Sequence, residues 1–262
     1  MARAAGAEID AASPLGGGDL SAVWAVVLTD GRRAVLKRAP TAGAEAAMLS
    51  RIGETGCPAP RVIAHDEDAL LVTRLPDGGR PGPADWADAG RAIALLHAAT
   101  GPHYGWPVDH AFGPVPIPNA PAPDWPTFWA ERRLRPLAPP DLSDRIDAVC
   151  QRLPDLLPRD PRPALLHGDL WSGNLLFGPD GLSGVIDPAA FHGDPEVDLA
   201  MLTLFGAPDP AFFAAYGPLP RGWQARRPIY RLWPALVHLR LFGRGYRTLV
   251  ERCLEEVERP LA

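Results

Sequence analysis

The chain has 262 residues, 47% hydrophobic and 22% charged, with a formal net charge of −5. That balance suits one large or two modest folded domains and excludes wholesale disorder, and with no Lys/Arg block there is no electrostatic footprint for sequence-independent nucleic-acid binding. No apolar run approaches a signal segment or a membrane span, and Cys57, Cys150 and Cys253 form no C-x-x-C pair, so a cytoplasmic chain is expected, with no membrane partner, disulfide framework or zinc site.

In chain order, the first feature is a glycine cluster, Gly16-Gly17-Gly18, ahead of the apolar run Ala22–Leu28. Glycines lacking side chains let backbone N–H groups approach phosphate oxygens. Asp30-Gly31 then predicts a tight hairpin, and the return strand Arg33–Arg38 carries Lys37 near its end. A helix is predicted over 42–52, where Met48, Leu49 and Ile52 make an apolar stripe and Glu45 lies in the first half. A lysine on such a strand can hold nucleotide phosphates when a glutamate on the next helix orients it. Strands over 61–65 and 70–75 complete an antiparallel sheet of about five strands. Thr73, Arg74 and Leu75 are then candidates for a hinge whose backbone hydrogen-bonds an adenine edge. The Pro/Gly-rich stretch from Pro76 marks a lobe boundary, giving 1–75 as a nucleotide-binding lobe and 76–262 as a catalytic and substrate-binding lobe.

Residues 86–97 read as a helix of the second lobe. His97, His103 and His110 have no metal-ligand spacing and are read as structural. Residues 101–140, rich in Pro and aromatics, read as a long ordered loop leading into a helix. Its tryptophans, Trp125 among them, are candidates to stack on the C–H face of a sugar.

The densest signal is Leu165–Phe177 followed by Gly184-Val185-Ile186-Asp187-Pro188. Asp169 precedes Asn174 by five positions, the spacing of the kinase H-R-D-x-x-x-x-N loop, and Asp187 stands where the D-F-G aspartate would. In that chemistry the first Asp accepts the proton of the attacking hydroxyl, while the Asn and second Asp hold Mg²⁺ against ATP phosphates. Gly168 replaces the Arg of H-R-D, and no A-P-E segment follows, so a small-molecule hydroxyl is the expected acceptor. Two residues after Asp169, Trp171 suits a sugar face. His167 and Asp198 are read as braces of the loop. Residues 202–257 read as helical with Gly and Pro breaks.

His167-Gly168-Asp169 with Asn174 and Asp187 resembles the aminoglycoside phosphotransferase and choline kinase superfamily. The longer run Leu166–Asn174 resembles the loop of fructosamine (ketosamine) kinases, and Tyr104-Gly105-Trp106, Asp124-Trp125, Glu131-Arg132-Arg133-Leu134 and Leu241-Phe242-Gly243 extend the likeness over nearly the whole chain. The resemblance implies an α+β, protein-kinase-like two-lobed fold: a small N-terminal antiparallel sheet with one helix, and a larger, mainly helical C-terminal lobe. It also implies ATP- and Mg²⁺-dependent phosphorylation of the third sugar carbon of a ketoamine such as a ribulosamine or fructosamine, free or as glycated lysine on proteins. That activity is a deglycation repair step, expected of a monomer or weak homo-oligomer. Gly193-Asp194-Pro195-Glu196 replaces the family's usual Gly-His-x-Glu and is closer to aminoglycoside kinases. An aminoglycoside- or choline-type kinase therefore stays open as an alternative, and, independently of that motif, so does a nucleotide-binding pseudokinase.

Overall fold

The Asp30-Gly31 turn folds two apolar strands back on each other: Gly31 adopts φ 83°, and its N–H donates to the Leu28 carbonyl at 2.8 Å. The structure, a computed structural model, describes residues 5–16 and 21–259. Five antiparallel strands, β1 (Ile9–Pro14), β2 (Ala22–Leu28), β3 (Arg33–Arg38), β4 (Val62–His65) and β5 (Ala69–Thr73), lie in the order β1-β2-β3-β5-β4. Because successive side chains alternate faces, Val35, Leu70 and Val72 meet Ala42, Ala46 and Leu49 of helix α1 (Ala42–Glu54) on one side. Val26, Leu28, Ala34 and Leu71 cluster with Ala5 on the other. Helix α2 (Pro83–Ala98) follows.

The stretch expected as a long loop contains a short hairpin, β6 (His110–Phe112) with β7 (Val115–Ile117). Three-residue strands, one containing Pro116, carry too little alternation to register in sequence. Asp124 then caps helix α3 (Trp125–Trp129) by accepting the Thr127 N–H at 2.8 Å, the usual role of Asp at this position. Helix α4 (Ser143–Leu156) and strand β8 (Ala164–Leu166) lead to the hairpin β9 (Leu175–Gly178) and β10 (Gly181–Val185). Strand β11 (Phe191–Gly193) pairs with β8, and helices α5 (Glu196–Leu202), α6 (Pro210–Tyr216), α7 (Trp223–Phe242) and α8 (Arg247–Glu258) complete the chain.

The chain divides into two compact units, neither of them a single stretch. The first comprises Met1–Leu96, Gly173–Ala189 and Asp209–Tyr216; the second comprises His97–Ser172, Ala190–Pro208 and Gly217–Ala262. Within the first, β9–β10 is tied in by backbone bonds: Val185 N–H donates to Pro58 O at 2.9 Å and Gly79 N–H to Phe177 O at 2.8 Å. Within the second, buried Arg133 stands over the rings of Phe128, Phe191 and Trp233 at 4.7, 4.1 and 5.0 Å. Its guanidinium donates to Pro118 O at 2.6 Å and Asn119 Oδ1 at 2.8 Å, pinning the loop after β7.

In the first unit α2 and α6 approach so closely that a Cβ on Gly90 would collide with the Phe212 carbonyl oxygen. Overpacking of this kind costs about 1–3 kcal/mol, so Gly90→Ala is expected to lower the urea unfolding free energy by that amount. An unfolding midpoint equal to the parent's would contradict the close approach.

Candidate functional site

Lys37 and the residues around it are set by strand geometry. Pairing of Val23 with Lys37 and of Lys37 with Leu70 holds Lys37 on the sheet face that α1 covers. Its Nζ lies 2.8 Å from Glu45 Oε2 and 2.8 Å from Asp187 Oδ1. Burial alone would pull the Lys37 pKa down; the charge of Glu45, then that of Asp187, outweighs it and holds the ammonium above its ordinary value. Lys37 is therefore a permanent cation between two carboxylates.

Asn174 and Asp187 come together through the β9–β10 pairing. Leu175 stands opposite Val185, and Ile186 N–H donates to Asn174 O at 3.1 Å. Asp187 adopts φ 54°, the left-handed region that non-glycine residues rarely occupy. Its side chain is 51% exposed, so a carboxylate anchored on Lys37 still faces solvent. An amide oxygen and a carboxylate form a hard-oxygen donor set suited to Mg²⁺, which commonly takes one or two carboxylates and completes its shell with water and phosphate oxygens.

The second unit holds the loop that bears Asp169. Asp198, fully buried in the first turn of α5, accepts the His167 N–H at 2.7 Å and the Gly168 N–H at 2.9 Å. His97 Nε2 lies 3.0 Å from the same carboxylate. Burial alone would raise the Asp198 pKa, but the hydrogen bond and charge of His97 lead the interactions that bring it below its usual value. Gly168 adopts φ 82°, which a Cβ would strain. The Asp169 N–H donates to His167 Nδ1 at 3.3 Å, so that nitrogen carries no proton and His167 acts as a backbone acceptor. Leu166, His167 and Leu170 are fully buried, Asp169 is half-buried, and Trp171 is 39% exposed.

Several candidates stand differently from the sequence expectation. Trp125 is not a sugar face: it is fully buried, stacks on Phe128 at 5.4 Å, and donates Nε1–H to Tyr230 Oη at 2.9 Å. Its aromatic area is core packing. Thr73 and Arg74 N–H groups already donate to Arg61 O at 2.9 Å and Arg33 O at 3.2 Å, so a base edge must find its N–H donor elsewhere. Leu75 follows directly on this committed pair. Gly16 is exposed, while Gly17 and Gly18 fall outside the described residues. Asp194 is buried, with its pKa raised by that burial, and accepts from Tyr230 Oη at 2.7 Å and Glu196 N–H at 3.0 Å. Glu196 in turn pairs with Arg226 at 2.5 Å. The His97–Asp198 contact spans 101 positions, and no local pattern announces it.

The fructosamine kinase family model matches residues 2–259. A Thermus thermophilus protein named "Probable ketoamine kinase TTHA1179" is 36% identical over 262 residues, covering 94% of each chain. The crystal structure of a Thermobifida fusca protein named for fructosamine-3-kinase matches with a TM-score of 0.91 at 34% identity, over 99% of this chain and 97% of that one. The aminoglycoside phosphotransferase APH(4)-Ia, crystallised with ADP and hygromycin B, matches at a TM-score of 0.64 and 15% identity over 96% of each chain, a likeness of fold alone. The α+β, protein-kinase-like architecture implied by the resemblance is thus the one observed.

Removing Asp198 leaves two buried amides without acceptors, at about 1–3 kcal/mol each. Asp198→Ala is expected to lose at least about 2 kcal/mol in urea unfolding; a loss within error of zero would contradict the brace. Because the folded pKa of Asp198 is depressed, its contribution is full above about pH 4 and fades as the pH falls through the folded value. The stability gap between the parent and Asp198→Asn is therefore expected to narrow from pH 5 to pH 3.

Proposed function

The chain belongs to the fructosamine kinase family, and on that premise we propose that it transfers the γ-phosphoryl group of ATP to a sugar hydroxyl, O3, of a ketoamine. Ribulosamines and fructosamines, free or on glycated lysines, are the substrates in this reading, and deglycation repair in the cytoplasm is its role. The observation that carries it is the Lys37 ammonium held between Glu45 and Asp187, an arrangement suited to gripping nucleotide phosphates.

Asp169 orients the acceptor hydroxyl and takes its proton as the oxygen attacks the γ-phosphorus. The new P–O bond forms while the bond to the β–γ bridging oxygen breaks in line, and ADP leaves. Asn174 and Asp187 would hold Mg²⁺, which supplies charge neutralisation on the phosphate oxygens when bound. Asp198 and His167 keep the Asp169 backbone in one conformation, so catalysis is positioning and electrostatics without a covalent enzyme intermediate. Trp171, with its exposed ring, is the sugar-facing residue in this reading. Gly193-Asp194-Pro195 lends no weight to a polycationic acceptor, because Asp194 is buried and bonded to Tyr230.

The test is Mg²⁺-ATP consumption with ribulose-lysine, fructose-lysine, an aminoglycoside and choline. Selective turnover of a ketoamine is expected, and phosphate should appear on O3 by NMR of the product. Asp169→Asn should reduce turnover by about 10²–10⁴-fold while leaving nucleotide affinity within a factor of two or so. Turnover restricted to the aminoglycoside or choline would discard the ketoamine reading, and ATP binding without any transfer would favour a pseudokinase.

A further inference from the structure

The sheet face away from α1 holds a cavity of about 550 Å³. Its floor is aliphatic: Leu28, Leu36 and Leu71, with Ile9 beside them left 46% exposed. Its rim is acidic, formed by the β4–β5 turn Asp66-Glu67-Asp68. That turn is held in shape because Asp66 Oδ1 accepts the N–H groups of Asp68 at 3.1 Å and Ala69 at 2.9 Å. One guanidinium also lines the cavity, that of Arg38, which pairs with Ala69 beside this turn. Three exposed carboxylates against one cation leave the rim net negative, so an anionic amphiphile meets repulsion there and a cationic one attraction. An apolar concavity with a few charged groups at its edge has the composition of a small-molecule site.

We propose that this cavity binds an amphiphilic amine, its alkyl or aryl body on the leucine floor and its ammonium among Asp66, Glu67 and Asp68. Leu36 and Arg38, which line the cavity, are the chain neighbours of Lys37, and strand alternation turns Lys37 to the opposite face. An occupant therefore bears on the strand that holds the Lys37–Glu45–Asp187 group and couples to nucleotide affinity. The coupling rests on the nucleotide role of Lys37; the binding does not.

The experiment is calorimetric titration of the whole chain, without nucleotide, with octylammonium and with octanoate, both below their micellar concentrations. Saturable binding of octylammonium, at least tenfold tighter than octanoate, is expected. Ala69→Phe, which fills the cavity from β5, should abolish it, and the double variant Glu67→Lys, Asp68→Lys should weaken it at least tenfold while thermal unfolding shows both variants folded. Equal binding of octanoate, no binding of octylammonium, or binding unchanged in Ala69→Phe overturns the site. A fluorescent ATP analogue titrated with and without octylammonium should show at least a threefold change in Kd, and an unchanged value overturns the coupling. Absence of nucleotide binding in the parent without any amine would instead count against the kinase reading.

Discussion

One ammonium group, Lys37 Nζ, ties three parts of the first unit together: strand β3 that bears it, helix α1 through Glu45, and the end of β10 through Asp187. A lysine buried without partners would shed its proton or stay unfolded, since desolvation of a charge costs several kcal/mol. Two carboxylates at 2.8 Å reverse that balance. The same contacts explain why Asp187 can persist at positive φ: a backbone strain of about 1–3 kcal/mol survives only where surrounding bonds over-determine it, and here the β9–β10 ladder and the Lys37 bond act on adjacent residues.

The second unit has a counterpart of opposite sign. There a buried carboxylate, Asp198, gathers two backbone amides and a histidine. In each unit a charge withdrawn from water fixes the segment beside it, and in each the segment so fixed carries a less buried acid: Asp187 in one, Asp169 in the other. Rigid buried partners with a reactive group at the solvent edge are what electrostatic catalysis asks of a scaffold.

Local patterns made much of this readable. Asp30-Gly31 specifies its hairpin because few other pairs tolerate the turn, and α1 follows from its apolar stripe. What sequence hid has several causes. Trp125 has a face equally fit for a sugar or a core, and only the packing of Phe128 and Tyr230 around it decides. Helix α7, within the stretch read as helical, runs unbroken from Trp223 to Phe242 through Pro228 and Pro234, although proline disfavours a helix interior. Tertiary packing prevails there, with Ile229, Leu232, Trp233 and Leu236 all buried. The hairpin β6–β7 and the His97–Asp198 contact escaped because one is too short to show a period and the other is wholly non-local.

The interrupted make-up of the first unit sets an order on its birth. Strands β1 to β5 leave the ribosome roughly a hundred residues before Asp187, an interval on the order of 5–20 s at usual rates of synthesis. Through that interval Lys37 has only Glu45 to neutralise it, and Gly79 lacks the Phe177 carbonyl that later receives its N–H. The nascent unit is therefore unfinished, gaining residues 173–189 and then 209–216 as the chain returns to it. The strand pair β9–β10 is also the one that brings Asn174 and Asp187, so the unit acquires those two oxygen donors together, before its last segment, Asp209–Tyr216, emerges.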